Sequence, residues 1–248
     1  MQRSCFKRLA LLTLAVLLLF LQACPPKKEP GPQEGEKTGE APARVSGSLF
    51  FADPALEGLV RKILARPQGE LSSSELSRIK TLEARQKEIT SLSGVEYLQG
   101  LQALDLGNNY LRDLSPLAGL VNLRELRLDH NYIVDLAPLA GLTRLRLLDL
   151  SYNQINDLGP LQGLVDLETL EAEGNYITDI SPLAGLLRLH RLNLEKNQLT
   201  SLEPLVRNSR AGGMGPGDVL MISDNPLSTL SRTSELPLLR SRGLQIHW

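Results

Sequence analysis

The chain has 248 residues, 42% of them hydrophobic, with 27 Lys and Arg against 28 Asp and Glu and a formal net charge of −1 at pH 7. This is enough apolar material for a sizeable core, while near-neutral charge and only 4% aromatic residues exclude a nucleic-acid binder built on basic patches and base-stacking ladders. Two cysteines exclude a disulfide framework.

Residues 1–23 read as a targeting segment rather than as part of the fold. Arg3, Lys7 and Arg8 make a basic start, and residues 9–21 form an apolar run of 13, too short for an ordinary spanning helix. Leu21-Gln22-Ala23-Cys24 resembles a bacterial lipobox. The resemblance implies a lipoprotein: cleavage before Cys24, acylation of that cysteine with palmitate-type chains, and a lipid-anchored place in the bacterial cell envelope. Pro25 in the following position implies the outer membrane over the inner one. Several acyl chains on one residue anchor stably where one is marginal. A plain signal peptide or an uncleaved anchor is the alternative. Cys5 leaves with the segment and Cys24 is acylated, so the mature domain has no thiol for a disulfide or a metal. Losing Arg3, Lys7 and Arg8 takes the formal charge from −1 to −4. Residues 24–46 carry the cysteine and then a stretch of Pro, Glu, Lys and Gly without apolar period, which reads as a disordered tether. Its root-mean-square span is on the order of 25 Å.

Two helices are predicted next. Asp53-Pro54 opens the first, through about Ala65. Pro67-Gln68-Gly69 is a turn, and Ser72-x-x-Glu75 is a capping box for the second.

A single phrase then recurs every 22 residues, centred on Asn109, Asn131, Asn153, Asn175 and Asn197. LQALDLGNNYLRDLSPLAGL and LRELRLDHNYIVDLAPLAGL are the first two copies. The spacing L-x-x-L-x-L-x-x-N at this period is that of a leucine-rich repeat, an α/β solenoid with a curved parallel sheet on the concave face and short helical turns on the convex one. Pairs such as Leu104/Leu106 and Leu126/Leu128 stand two apart, so they face one side of a strand and stack into a shared core. The asparagine amide satisfies backbone groups that the turn would otherwise bury unpaired. Ser115-Pro116 and its counterparts predict a helical turn with Ser as N-cap and Pro at the first helical position. The series begins with Leu82-x-Ala84-x-x-Lys87-x-Ile89, where Lys87 replaces the asparagine, and ends with Leu220-x-Ile222-x-x-Asn225-x-Leu227. About seven coils thus occupy residues 82–230, the last delayed by a Gly-rich loop over 208–218. Ala172 stands where a core leucine belongs and predicts a locally thinner core.

The extended phrase L-x-x-L-x-L-x-x-N-x-I-x-D-(L/I)-x-P-L-x-x-L resembles the repeats of the bacterial internalin type. That resemblance implies a right-handed solenoid, a small helical N-terminal cap (residues 47–81), a C-terminal cap (residues 231–248) and a protein-binding role.

The solvent positions of the strands carry the candidate recognition residues. Asp105, Arg127, Asp149, Glu171 and Asn193 lie between the core leucines; Gly107, Asp129, Ser151, Glu173 and Glu195 lie one step outward. Alternation of sign along Asp105, Arg127 and Asp149 predicts cross-strand pairs of about 0.2–1 kcal/mol each, whereas Asp149 beside Glu171 and Glu173 beside Glu195 are like charges that cost a similar amount. Either this carboxylate patch docks a basic or polar partner, or it is a solvated face relieved by Arg146, Arg191 and Lys196. Tyr110, Tyr132 and Tyr176 follow their asparagines and Tyr152 precedes one; tyrosine is enriched at interfaces but also packs over turns. His130, His190 and His247 fall at unrelated phases, no nucleophile–base arrangement or phosphate loop is present, and parallel strands offer no converging oxygen cage for a cation. The expectation is a non-catalytic module without cofactor or metal, whose partners are another protein and, through Cys24, the membrane. The rival readings are a scaffolding lipoprotein and an accessory subunit of an envelope enzyme or transporter.

Overall fold

The computed structural model describes residues 49–248. The targeting segment, Cys24 and the tether lie outside the described residues.

Helix α1 (Pro54–Ile63) is capped by Asp53, whose Oδ1 accepts from Ala55 N at 2.9 Å. The other oxygen of Asp53 accepts from Thr90 N at 3.0 Å, so one carboxylate both starts the helix and ties it to the first coil. Helix α2 (Ser73–Leu76) begins with the full Ser72/Glu75 capping box. Leu56, Val60 and Leu76 close the open end of the leucine core.

Eight parallel strands of three residues each follow in chain order: β1 (Thr81–Glu83), β2 (Ala103–Asp105), β3 (Glu125–Arg127), β4 (Leu147–Asp149), β5 (Thr169–Glu171), β6 (Arg191–Asn193), β7 (Val219–Met221) and β8 (Gln245–His247). The register sets Leu82, Leu104, Leu126, Leu148, Leu170, Leu192, Leu220 and Ile246 side by side in one spine. The strands are short because the asparagine turn begins three to four residues later. Asn131 shows how. Its Nδ2 donates to Leu106 O and Leu128 O, both at 3.0 Å, and its Oδ1 accepts from Leu111 N at 2.9 Å. Asn109, Asn153, Asn175, Asn197 and Asn225 repeat this set, each bonding one coil to the one before. Every such group left unpaired would cost about 1–3 kcal/mol. In the terminal coil Lys87 has no amide to offer, but its own N–H donates to Asn109 Oδ1 at 3.1 Å.

The residue before each asparagine is left-handed: Asn108, His130, Tyr152 and Lys196 have φ of 52–56°. Such a conformation costs about 1–2 kcal/mol for a residue with a Cβ. It is needed to swing the chain off the strand while its side chain points outward.

The convex turns differ in one respect from expectation. Ser115–Leu117 and Ala137–Leu139 are single 3₁₀ turns, and Gly159–Gly163 and Ser181–Gly185 are slightly longer ones. Ser115 is not the cap. Asp113 Oδ1 accepts from Ser115 N at 2.8 Å, and Asp135, Asp157 and Asp179 do the same for Ala137, Gly159 and Ser181. An Asp two residues ahead reaches the free N–H whatever follows it, which is why Ser, Ala and Gly are interchangeable before the proline.

The segment 208–218, expected to be a loop, begins as helix. Helix α3 (Glu203–Arg210) extends the convex turn, and buried Asn208 donates to Leu183 O and Leu186 O while accepting from Met214 N at 2.9 Å. Met214 is fully buried, so the insertion packs as part of the core and only its glycine-rich tip is open. Ala172 is also fully buried, and the column stays closed there. Helix α4 (Leu236–Ser241) and β8 form the C-terminal closure, which adds an eighth strand beyond the seven coils. Glu235, at its start, caps Leu202 N at 2.7 Å.

Candidate functional site

The concave face is the set of side chains that alternate with the spine. Asp105, Arg127, Asp149, Glu171 and Asn193 are consecutive register partners. The expected ion pairs among the first three do not form. Asp105 and Asp149 turn their Oδ1 onto the backbone, accepting from Gly107 N at 2.9 Å and Ser151 N at 3.0 Å. Arg127 therefore pairs with Glu125 on its own strand, at 3.4 Å, because residues two apart share a face. Burial pushes the Asp149 carboxyl above the ordinary range, and the nearby Asp129 and Glu171 add to it.

The outer column holds a continuous polar network. Asp129 is buried and receives both Nη1 and Nη2 of Arg85 at 2.7 Å, with His130 Nδ1 3.0 Å away. Burial pushes its carboxyl up, but Arg85 and His130 outweigh this and hold it below the usual range. The Arg85 pKa is raised by the same bond. Arg85 reaches across two coils because Gly107 lies beneath it; a Cβ there would overlap Nη1. His130 stacks on Tyr152 with centroids 4.5 Å apart. The Tyr152 hydroxyl donates to Glu173. Lys196 Nζ donates to Glu173 at 2.7 Å and lies 5.5 Å from the Tyr152 ring centroid. Gly174 makes room for that ring, since a Cβ there would come within 2.7 Å of Tyr152 Cδ1. On Glu173, burial raises the pKa but Lys196 and Tyr152 bring it below normal.

Glu171 is held by Arg191 Nε at 2.6 Å. Two of the carboxylates that the sequence sets against like charges are thus already neutralised within the molecule. Glu195 stands beside them, half-buried. The tyrosines separate into two columns. Tyr152 belongs to the network just described. Tyr110 and Tyr132 stack on each other at 6.2 Å, with Arg112 over Tyr132 at 5.1 Å. Tyr176, one coil beyond Gln154, is the most exposed at 54%. Among the described residues no three His, Cys, Asp or Glu side chains are grouped to hold a metal ion.

Arg85 and Gly174 were not among the sequence candidates, and Gly107 stood there only as a position of the outer column. Gly107 gave the available signal: it is the one gap in an otherwise polar column, and a gap admits a long side chain from a neighbouring coil.

Leucine-rich repeat family models match residues 121–164 and 165–207, and a further one matches residues 78–133. Among solved structures, an internalin of Listeria monocytogenes, InlF, is 28% identical with a TM-score of 0.71 over 79% of this chain. The chain spans 56% of the InlF chain. Internalin C2 of the same organism is 29% identical with a TM-score of 0.59, over 79% of this chain and 94% of that one. No curated protein matches at a significant level. With the repeat models together running from residue 78 to 207, over half its length, the chain belongs to the leucine-rich repeat family and has an internalin-like solenoid.

Proposed function

We propose that this protein is a non-catalytic recognition module, held at the bacterial envelope by the lipidated Cys24, whose concave face docks another protein. The observation that carries the reading is the division of labour across each strand. The core is complete without the face, and the asparagines satisfy the backbone. Asp105, Arg127, Asp149 and Glu171 are left on one pre-ordered ribbon, and the stacked Tyr110 and Tyr132 follow it beyond the asparagine turn. A rigid ribbon loses little conformational entropy on docking. Stacked tyrosines and an arginine are the residue types that concentrate binding energy.

A photo-crosslinker placed at Tyr132 in intact envelopes tests this. One stoichiometric adduct is expected, lost when Tyr110→Ala and Glu171→Lys are combined. Many weak adducts indifferent to those changes would favour the scaffolding role instead. For the anchor, Cys24→Ser is expected to abolish incorporation of labelled palmitate and to release the protein from the membrane fraction; retention of label would refute it.

A further inference from the structure

The carboxylates on the downstream edge of the strands are largely paired: Asp129 with Arg85, Glu171 with Arg191 and Glu173 with Lys196. The upstream edge is different. There, Arg124, Arg146 and His190 line a depression of about 370 Å³ together with Glu125, Glu168, Leu147 and Thr169. Arg124 has no ion pair among the described residues. Arg146 is only loosely approached by Glu168, at 3.7 Å, and Glu125 leans toward Arg127 instead. Arg144, just outside, bonds the Asn122 amide at 2.9 Å rather than a carboxylate. Arg146 N donates to Arg124 O, so the two arginines sit on adjacent rungs, about 4.8 Å apart in backbone spacing. Like charges so placed repel, and an anion between them removes the repulsion while accepting the fork of donors each guanidinium offers.

We infer that this depression seats the carboxylate side chains of an acidic protein segment, with Arg124 and Arg146 as receivers and His190 at its rim. The inference rests on the recognition reading and specifies its partner: the surface that docks is acidic at the upstream edge, not basic as a carboxylate patch would require. The half-buried Leu147 in its lining suits a segment that carries a methylene stem as well as a charge.

The test uses the full chain in detergent micelles and a fluorescein-labelled peptide of four Glu-Gly repeats, followed by anisotropy. Saturable binding is expected, weakened at least tenfold by Arg124→Gln with Arg146→Gln and unchanged by Glu203→Gln on α3, outside the depression. Raising the salt is expected to weaken it, since exposed charges are screened. Circular dichroism melts check that each variant keeps its fold. Absence of saturable binding, equal binding of a Lys-Gly peptide, insensitivity to the arginine changes, or displacement by equimolar inorganic phosphate would each overturn the inference. If the peptide fails while the Tyr132 adduct persists, this inference falls and the recognition reading stands.

Discussion

Single residues decide how the concave face is wired. The Arg85–Asp129 pair depends on Gly107 having no side chain, so Gly107→Ala is expected to push the guanidinium away and leave a buried carboxylate short of partners. Leaving a buried carboxylate without its partner costs more than losing an exposed pair. Gly107→Ala is expected to destabilise by about 1–3 kcal/mol in urea titration, and Arg127→Ala, whose pair with Glu125 is exposed, by under about 1 kcal/mol. Equal effects would contradict the account in which the buried Asp129 carboxylate depends on Arg85. Two aspartates in neighbouring coils should also respond oppositely to pH. Asp129 is depressed, so its stabilisation is full at neutral pH and is lost as pH falls through its folded pKa. Asp149 is raised, so ionising it costs stability, a cost that grows as pH climbs from the unfolded pKa to the higher folded one and then stays. Asp149→Asn retains an oxygen to accept from Ser151 N. The variant is expected to melt higher than the parent at pH 7 and to match it at pH 3; a lower melting temperature at pH 7 would refute the assignment.

At the scale of one coil, the convex turn is set by the Asp two residues before the helical segment. Asp135→Ala strands Ala137 N–H and is expected to cost about 1 kcal/mol, whereas Ser115→Ala changes no cap and is expected to be nearly neutral, both measured by chemical denaturation. The coil's other signals were legible in its residues. Leucine pairs two apart, a proline three residues beyond the aspartate and an asparagine at fixed phase each describe a local backbone event, and local events survive translation by 22 residues. The left-handed residue ahead of the asparagine was less legible, because Asn108, His130, Tyr152, Gly174 and Lys196 share no side-chain character. What they share is a backbone angle imposed by the turn.

For the whole molecule, a solenoid's stability is a sum over neighbours, so its ends are its weak points. α1 and α2 cover one end, and α3, Met214 and the closure with β8 cover the other. Deleting residues 231–248 removes Glu235 from Leu202 N and strips β7 of its outer partner β8. Hydrogen exchange is then expected to accelerate chiefly from 194 to 227 while β3 and β4 keep their protection; uniform acceleration would show that the array melts as one unit.

The amino-acid sequence by itself determined the period, the leucine spine, the asparagine ladder and the two capped ends. Each of these depends on spacing along the chain, and parallel stacking of identical coils converts spacing directly into contacts. Only the tertiary structure decided which charges on the face are spent. Arg85 meets Asp129 across two coils, Arg127 turns back to Glu125, Lys196 and Tyr152 share Glu173, and Arg124 is left over. Long side chains choose among several partners within reach, and the choice rests on burial, on backbone N–H groups competing for the shorter aspartates, and on a glycine leaving a path. None of these is written in the register alone.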